Sequence, residues 1–250
     1  MIFDADTHMS PYHNFDASIG ITEWEEQMKA AGIDKALAWL LPQGVTDVSE
    51  SNRYIFEQAR NNLRILPFGW ANVREGLDKA LRDVEKCLCE YGFIGVKLNG
   101  AQNGYHIDGP EAMAVCEKIA TLGGIAAFHI GVDEPDYTDP KRAAVVAKAF
   151  PKMKVLMIHM GGAGAPDRSK EVIAIAKENP NMYLIGSAIG IDKVADAIRE
   201  LGPERVMFGS DIPFADPAVV LSQYREMLKE FDERTSQLVL GGNAKRLFGL

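Results

Sequence analysis

The chain opens MIFDADTH, placing Asp6 and His8 two residues apart. Side chains two apart on a strand share a face, so a carboxylate and an imidazole emerge side by side, a common start for a divalent-metal site. Taken alone, the triplet reads equally well as a turn cap followed by a polar loop residue. Further along, polar residues close other apolar runs: Lys97 and Asn99, then His129, His159, Ser187 and Asp211. With His8, three of the five histidines stand at such run ends. Gathered around one 2+ ion, such carboxylates and imidazoles would bind it, and the ion would activate water or polarise a carbonyl. Singly, His129 or His159 reads as a satisfied interior histidine, so the chemistry depends on whether the fold brings these groups together.

The elements that must do so are legible as a repeat. A first strand ends near His8, and ITEWEEQMKAAG follows as a helix, with Thr22 and Glu25 spaced as a capping box and Gly32 as its stop. IDKALAWLLP is then an unbroken apolar run of the kind that forms a strand buried on both faces. The unit recurs, with strand ends expected near residues 8, 41, 72, 98, 130, 160, 187 and 210. The interval of about 30 residues is that of one strand-helix unit. Alternation of this kind implies a parallel sheet. Eight units in 250 residues match a single closed (β/α)8 barrel of the TIM type spanning residues 1–250, with an extra helix at the C-terminus. A doubly wound open sheet is the alternative, but no G-x-G-x-x-G follows the first strand. In a barrel the C-terminal strand ends share one mouth, and strand eight lies beside strand one. Asp6, His8, Lys97, His129, His159 and Asp211 would then face each other.

Composition narrows the function classes. The content, 47% hydrophobic and 25% charged, is that of an ordinary globular protein. A net charge of −8 without a basic stripe argues against a nucleic-acid partner. No apolar run approaches the roughly 18 residues of a membrane span, and no signal peptide is seen, so a cytoplasmic location is expected. Cys87, Cys89 and Cys116 are read as reduced and structural.

The strand-end motifs D-x-D-x-H, FHIG, IHMGG and FGSDIPF, followed by the closing GNAKRLFGL, resemble the amidohydrolase superfamily along the whole chain. The likeness is to its amidohydrolase-related branch, which includes the aminocarboxymuconate semialdehyde decarboxylase-like enzymes. The resemblance implies that Asp6, His8, His129 and Asp211 hold one divalent metal. It further implies that His159 moves protons with Asp211, and it suggests a homodimer. Members usually begin D-x-H-x-H, whereas this chain carries Asp6 at the first histidine. Two carboxylates and two imidazoles leave a 2+ centre formally neutral and so a weaker Lewis acid. Oxygen ligation also makes manganese more competitive, although the imidazoles favour zinc.

The expected partner is a small molecule bearing a carboxylate or carbonyl. The leading expectation is hydrolysis of a small ester, lactone or amide by metal-activated water. The alternative is non-oxidative decarboxylation of a small aromatic or enoic acid, toward which Asp6 tilts the balance; a third is a metal-free binding or regulatory barrel. Lys97 admits three roles: carboxylation, contact with a substrate carboxylate, or an interior pairing. The glycines after His159 could admit substrate or simply turn the chain. His13 could reach the pocket, whereas Arg53, Tyr105, His106 and Arg168 read as surface residues.

Overall fold

The computed structural model describes residues 1–10, 19–40 and 47–250, so His13 lies outside the described residues. Its parallel strands are β1 (Phe3–Met9), β2 (Lys35–Leu40), β3 (Ile65–Pro67), β4 (Gly69–Trp70), β5 (Gly95–Leu98), β6 (Ile125–Gly131), β7 (Val155–Gly162), β8 (Met182–Ile185) and β9 (Val206–Met207). They pair in chain order within two runs, β1 to β3 and β4 to β9. β3 and β4 form one stave interrupted at Phe68, whose N–H still donates to the Ala38 carbonyl at 3.0 Å. The other seam is sewn by Ala5 N–H to Phe208 O, Asp211 N–H to Asp6 O and His8 N–H to Ile212 O, each 2.9 Å. The sheet therefore closes into the expected (β/α)8 barrel.

Helices α1 (Ile21–Ala31), α2 (Val48–Ala59), α3 (Leu77–Glu85), α4 (Gly100–Asn103), α5 (Pro110–Thr121), α6 (Pro140–Ala149), α7 (Ser169–Glu178), α8 (Ile191–Leu201) and α9 (Pro217–Met227) occupy the connections. Short α10 (Glu233–Gln237) and α11 (Asn243–Phe248) follow. Aspartates cap α2, α6 and α9, each accepting a hydrogen bond from a first-turn N–H. The capping box expected at Thr22 is not formed. α1 begins at Ile21 behind Gly20 with no side-chain cap, while Gly32 ends it in the left-handed conformation as expected.

Apolar residues alternate along the staves, and one set fills the barrel: Phe3 and Ala5, Leu37 and Trp39, Phe68, Ala127, Leu156 and Ile158. Ala244 and Phe248 of α11 pack against this same set, so the C-terminal segment plugs the floor below the strand starts. Cys87 and Cys116 are buried, Cys89 is exposed, and all three are free thiols. Among the described residues, no helix is long and apolar enough to cross a membrane.

Candidate metal centre

Strict alternation cannot bring Asp6 to the mouth, because Phe3 and Ala5 already take the inward positions of β1. A register shift between Asp4 and Thr7 resolves this. Such a bulge turns the strand by one residue; Asp6 and His8 then face inward, while Thr7 faces α1, its Oγ accepting the Trp24 indole N–H at 3.0 Å. His159 and Asp211 reach the same point by another route. Their backbones are left-handed, with φ of 66° and 64°, an uncommon state for side chains bearing a Cβ and one that gathers at functional sites. His129 needs no such device: it continues the inward line of Ile125 and Ala127.

The result is a compact, buried cluster. His8 Nε2 lies 3.5 Å from Asp6 Oδ1 and 3.4 Å from Asp211 Oδ1. Asp6, His159 and Asp211 each offer a ligand atom within 4.8 Å of the others. His8 donates Nδ1–H to the Leu40 carbonyl at 3.0 Å, which leaves Nε2 as the nitrogen facing the carboxylates. This is the outer-shell arrangement that orients metal-binding imidazoles. Ser187 Oγ donates to Asp6 Oδ2 at 2.5 Å, so it accepts from His159 Nδ1–H at 2.9 Å. His159 is thereby set with Nε2 as its open nitrogen. The Trp39 indole N–H reaches Asp6 Oδ1 at 3.1 Å and His8 Nε2 at 3.3 Å.

His129 stands slightly apart. Its ring meets that of His159 edge-on at 4.6 Å, but its Nε2 faces Asp133, 3.0 and 2.9 Å from the two oxygens.

The donor set fits a divalent cation. Ligands each about 2.1 Å from a tetrahedral ion stand about 3.4 Å apart, matching the His8 separations. The electrostatics ask for positive charge at the same place. Burial would raise the Asp6 carboxyl, but its hydrogen bond with His8, the charge His159 takes up in acid, and the charge of Lys97 hold it well below the usual carboxylate range. Burial and Lys97 press His8 toward the neutral form, and hydrogen bonds with Asp211 and Asp6 overcome them, raising it. Burial lowers His159 to about 4, so it is a neutral imidazole at pH 7.

His8, His129, His159 and Asp211 open into a cavity of about 200 Å³, which Lys97, Asn99, Gln102, Asp133 and Phe214 also line. Lys97 is fully buried, and burial lowers its ammonium to about 8. Phe214 is half exposed at the rim and meets the His8 ring edge-on at 5.9 Å. A larger groove of about 880 Å³ lies at the strand starts, walled by Phe93, Leu122, Phe150 and Leu247. Its charged lining residues are Glu117, Lys152 and Lys154, and it lies at the face opposite that used for barrel catalysis.

Several expectations are revised here. Gly161 and Gly162 are required by packing, since a Cβ on either would meet the Arg168 backbone at 2.8 Å or the Ala188 carbonyl at 2.4 Å. Their role is to turn the chain. Tyr105 is buried, its hydroxyl donating to the Ala71 carbonyl at 3.3 Å. Arg53, His106 and Arg168 lie at the surface as expected, exposed or half-buried, in ion pairs with Glu57, Asp136 and Glu171. Trp39, Asp133 and Gln102 carry no strand-end motif, and only the alternation of β2 points Trp39 inward.

Asp4 supports the cluster from behind. Its Oδ1 accepts the N–H groups of Ser210 at 2.9 Å and Asp6 at 3.1 Å, joining both ends of the chain, while Oδ2 has no partner. Burial lifts this carboxyl to about 7. In the unfolded chain it ionises near 3.8, so the native state holds the extra proton between these values and stability falls as pH rises through the window. Asp4→Asn keeps the accepting oxygen and removes the ionisation. In chelator-treated protein, its stability relative to wild type should rise from pH 4 to pH 7 by a few kcal/mol, at about 1.4 kcal/mol for each step of one in pH, and then level off. Urea unfolding at several pH values measures this, and a margin that stays flat would refute it.

The amidohydrolase family model matches residues 43–250. The chain is similar to the 2-amino-3-carboxymuconate-6-semialdehyde decarboxylase of Dictyostelium discoideum, 24% identical over 249 residues, covering 85% of this chain and 69% of the relative. Among solved structures it is similar to the 5-carboxyvanillate decarboxylase of Sphingomonas paucimobilis (TM-score 0.78, 17% identity, covering 100% of this chain and 99% of the other). It is also similar to a dihydroxybenzoic acid decarboxylase of Polaromonas determined with manganese and 2-nitroresorcinol (TM-score 0.73, 19% identity, 100% and 97% covered). The barrel is shared with these enzymes, and the family match extends over most of the sequence: this chain is a member of the amidohydrolase family.

Proposed function

We propose that this chain is a metal-dependent carboxy-lyase that removes carbon dioxide from a small aromatic or enoic acid. Asp6 carries the reading: it is fully buried, held anionic, and placed beside Asp211 where an imidazole would make a more electrophilic centre. A centre with two carboxylates is poorer at generating hydroxide. The named relatives, which are decarboxylases, support the same choice over hydrolysis. Asp6, His8 and Asp211 would hold the ion, with His129 joining them by releasing Asp133. When bound, that ion would polarise the oxygens of the acid. Manganese in the Polaromonas enzyme supports manganese alongside zinc as the resident ion.

In the reaction the bond to the carboxyl carbon breaks, carbon dioxide departs, and the electron pair left on carbon takes a proton. His159 and Asp211 hold and move that proton at the mouth. Ser187 fixes the His159 tautomer by accepting its Nδ1–H.

The test is the fate of atoms in metal-loaded protein offered a panel of hydroxybenzoates and enoic acids, and separately small esters and lactones. Carbon dioxide release with one solvent deuterium on the product carbon, and no oxygen from labelled water in the product, is the expected result. Turnover of an ester or lactone with incorporation of that oxygen would establish hydrolysis instead.

A further inference from the structure

Lys97 is the cation in the cavity whose partners the metal site does not explain. Its Nζ lies 4.2 Å from the centroid of the Trp39 ring and 5.1 Å from that of Trp70. Among the described residues, no carboxylate lies within ion-pair distance of it, although the side chain is 1% exposed. Buried charges are ordinarily paired. Its nearest compensating charges are those of Asp6 and Asp211, which an ion at the centre would claim. The two indole faces also decide among the roles open to a strand-end lysine: their negative ring faces attract a cation and would repel a carbamate.

The neighbours of Lys97 complete a receptor. Asn99 occupies the Gln102 side-chain carbonyl with its amide at 2.7 Å and caps the Gln102 N–H at 3.2 Å. The Gln102 amide nitrogen is left as a donor on the cavity wall. The Trp70 indole N–H is held by Asn103 Oδ1 at 3.0 Å, which anchors the ring behind Lys97 to α4. One buried ammonium, backed by two indole faces, and one amide donor therefore face a space of about 200 Å³, smaller than the roughly 300–1,000 Å³ of pockets for drug-sized ligands.

We infer that Lys97, with Gln102, forms an anion subsite that receives a carboxylate or phenolate oxygen of a small planar acid. The inference rests on the small-acid reading above and specifies how the acid is recognised.

Benzoate and its neutral isostere benzamide test it by calorimetric titration of metal-loaded protein, in wild type and in Lys97→Met. Wild type should bind benzoate, and the variant should lose benzoate affinity about tenfold or more, as expected for a lost charge-assisted hydrogen bond. Benzamide affinity and metal content should be unchanged. In wild type, benzoate should also quench Trp39 and Trp70 fluorescence where equal benzamide does not, a readout that stands even if Lys97→Met fails to fold. Four results would each overturn the subsite: no benzoate binding by wild type, equal loss of both ligands, loss of metal from the variant, or a carboxylated Lys97 in the native mass spectrum. Because benzoate binding is scored without turnover, its outcome is separate from whether the enzyme proves to be a decarboxylase.

Discussion

Replacing Asp6 by asparagine should strip the protein of its metal and its activity together. The carboxylate is the meeting point of the cluster: Oδ1 faces His8 and the Trp39 indole, and Oδ2 accepts from Ser187. The amide is isosteric, so it fills the same space without a cavity. It removes the negative charge, however, and one oxygen of the carboxylate becomes an N–H2 that must face a donor, Ser187 or Trp39. Losing an outer partner of a metal site typically costs about 10- to 100-fold in affinity, and losing a charged ligand should cost at least that. The expected result is a metal content far below one equivalent after dialysis, read by elemental analysis, with turnover reduced about 1,000-fold or more, the upper part of the range for one catalytic group. An Asp6→Asn protein that keeps both metal and turnover would remove Asp6 from the centre.

His159→Asn should separate what Asp6→Asn joins. His159 sits between the cluster and the cavity, neutral at pH 7, with Nδ1–H spent on Ser187 and Nε2 open. Such a group moves protons; in the proposed site the ion is held by the carboxylates and His8. Turnover is therefore expected to drop by about 10²- to 10⁴-fold, the usual worth of a positioned acid or base, while metal content stays near that of wild type. Loss of the metal as well would make His159 a ligand, consistent with its place within 4.8 Å of Asp6 and Asp211, and would reassign the proton transfer. Asparagine is preferred to alanine here because it leaves less of a void beside Ile158 and Ser187.

The two variants differ because the two residues reach the mouth differently. Asp6 arrives by a bulge in β1 and is locked by three side chains, those of His8, Trp39 and Ser187, whereas His159 arrives on a left-handed residue and touches the centre from one side. A third strand end, that of β9, is anchored to β1 through Asp4, which bonds both Asp6 and Ser210. The first and last staves of the barrel are therefore aligned at the site itself, and a change at Asp4 is felt through geometry as well as charge.

The apolar runs and their spacing of about 30 residues were sufficient to specify the architecture, because a strand buried on both faces and an amphipathic helix each write their own period into the sequence. Once eight such units close, neighbouring strand ends must share a mouth, which is why Asp6, His8, His159 and Asp211 can be grouped from the sequence alone. His129 and Trp39 also follow from simple alternation. Tertiary structure decided the rest. Asp6 and His8 face inward through a register shift that no local pattern announces, and His159 and Asp211 depend on left-handed backbones held by the surrounding barrel. The pairing of His129 with Asp133, the isolation of Lys97 between two indoles, and the buried, half-satisfied carboxyl of Asp4 are likewise products of packing. The physical reason is that periodicity reports which side of an element is apolar. The direction of one side chain at a strand end, and the charge it meets there, depend on contacts between residues far apart in the chain, such as Asp4 with Ser210, 206 positions away.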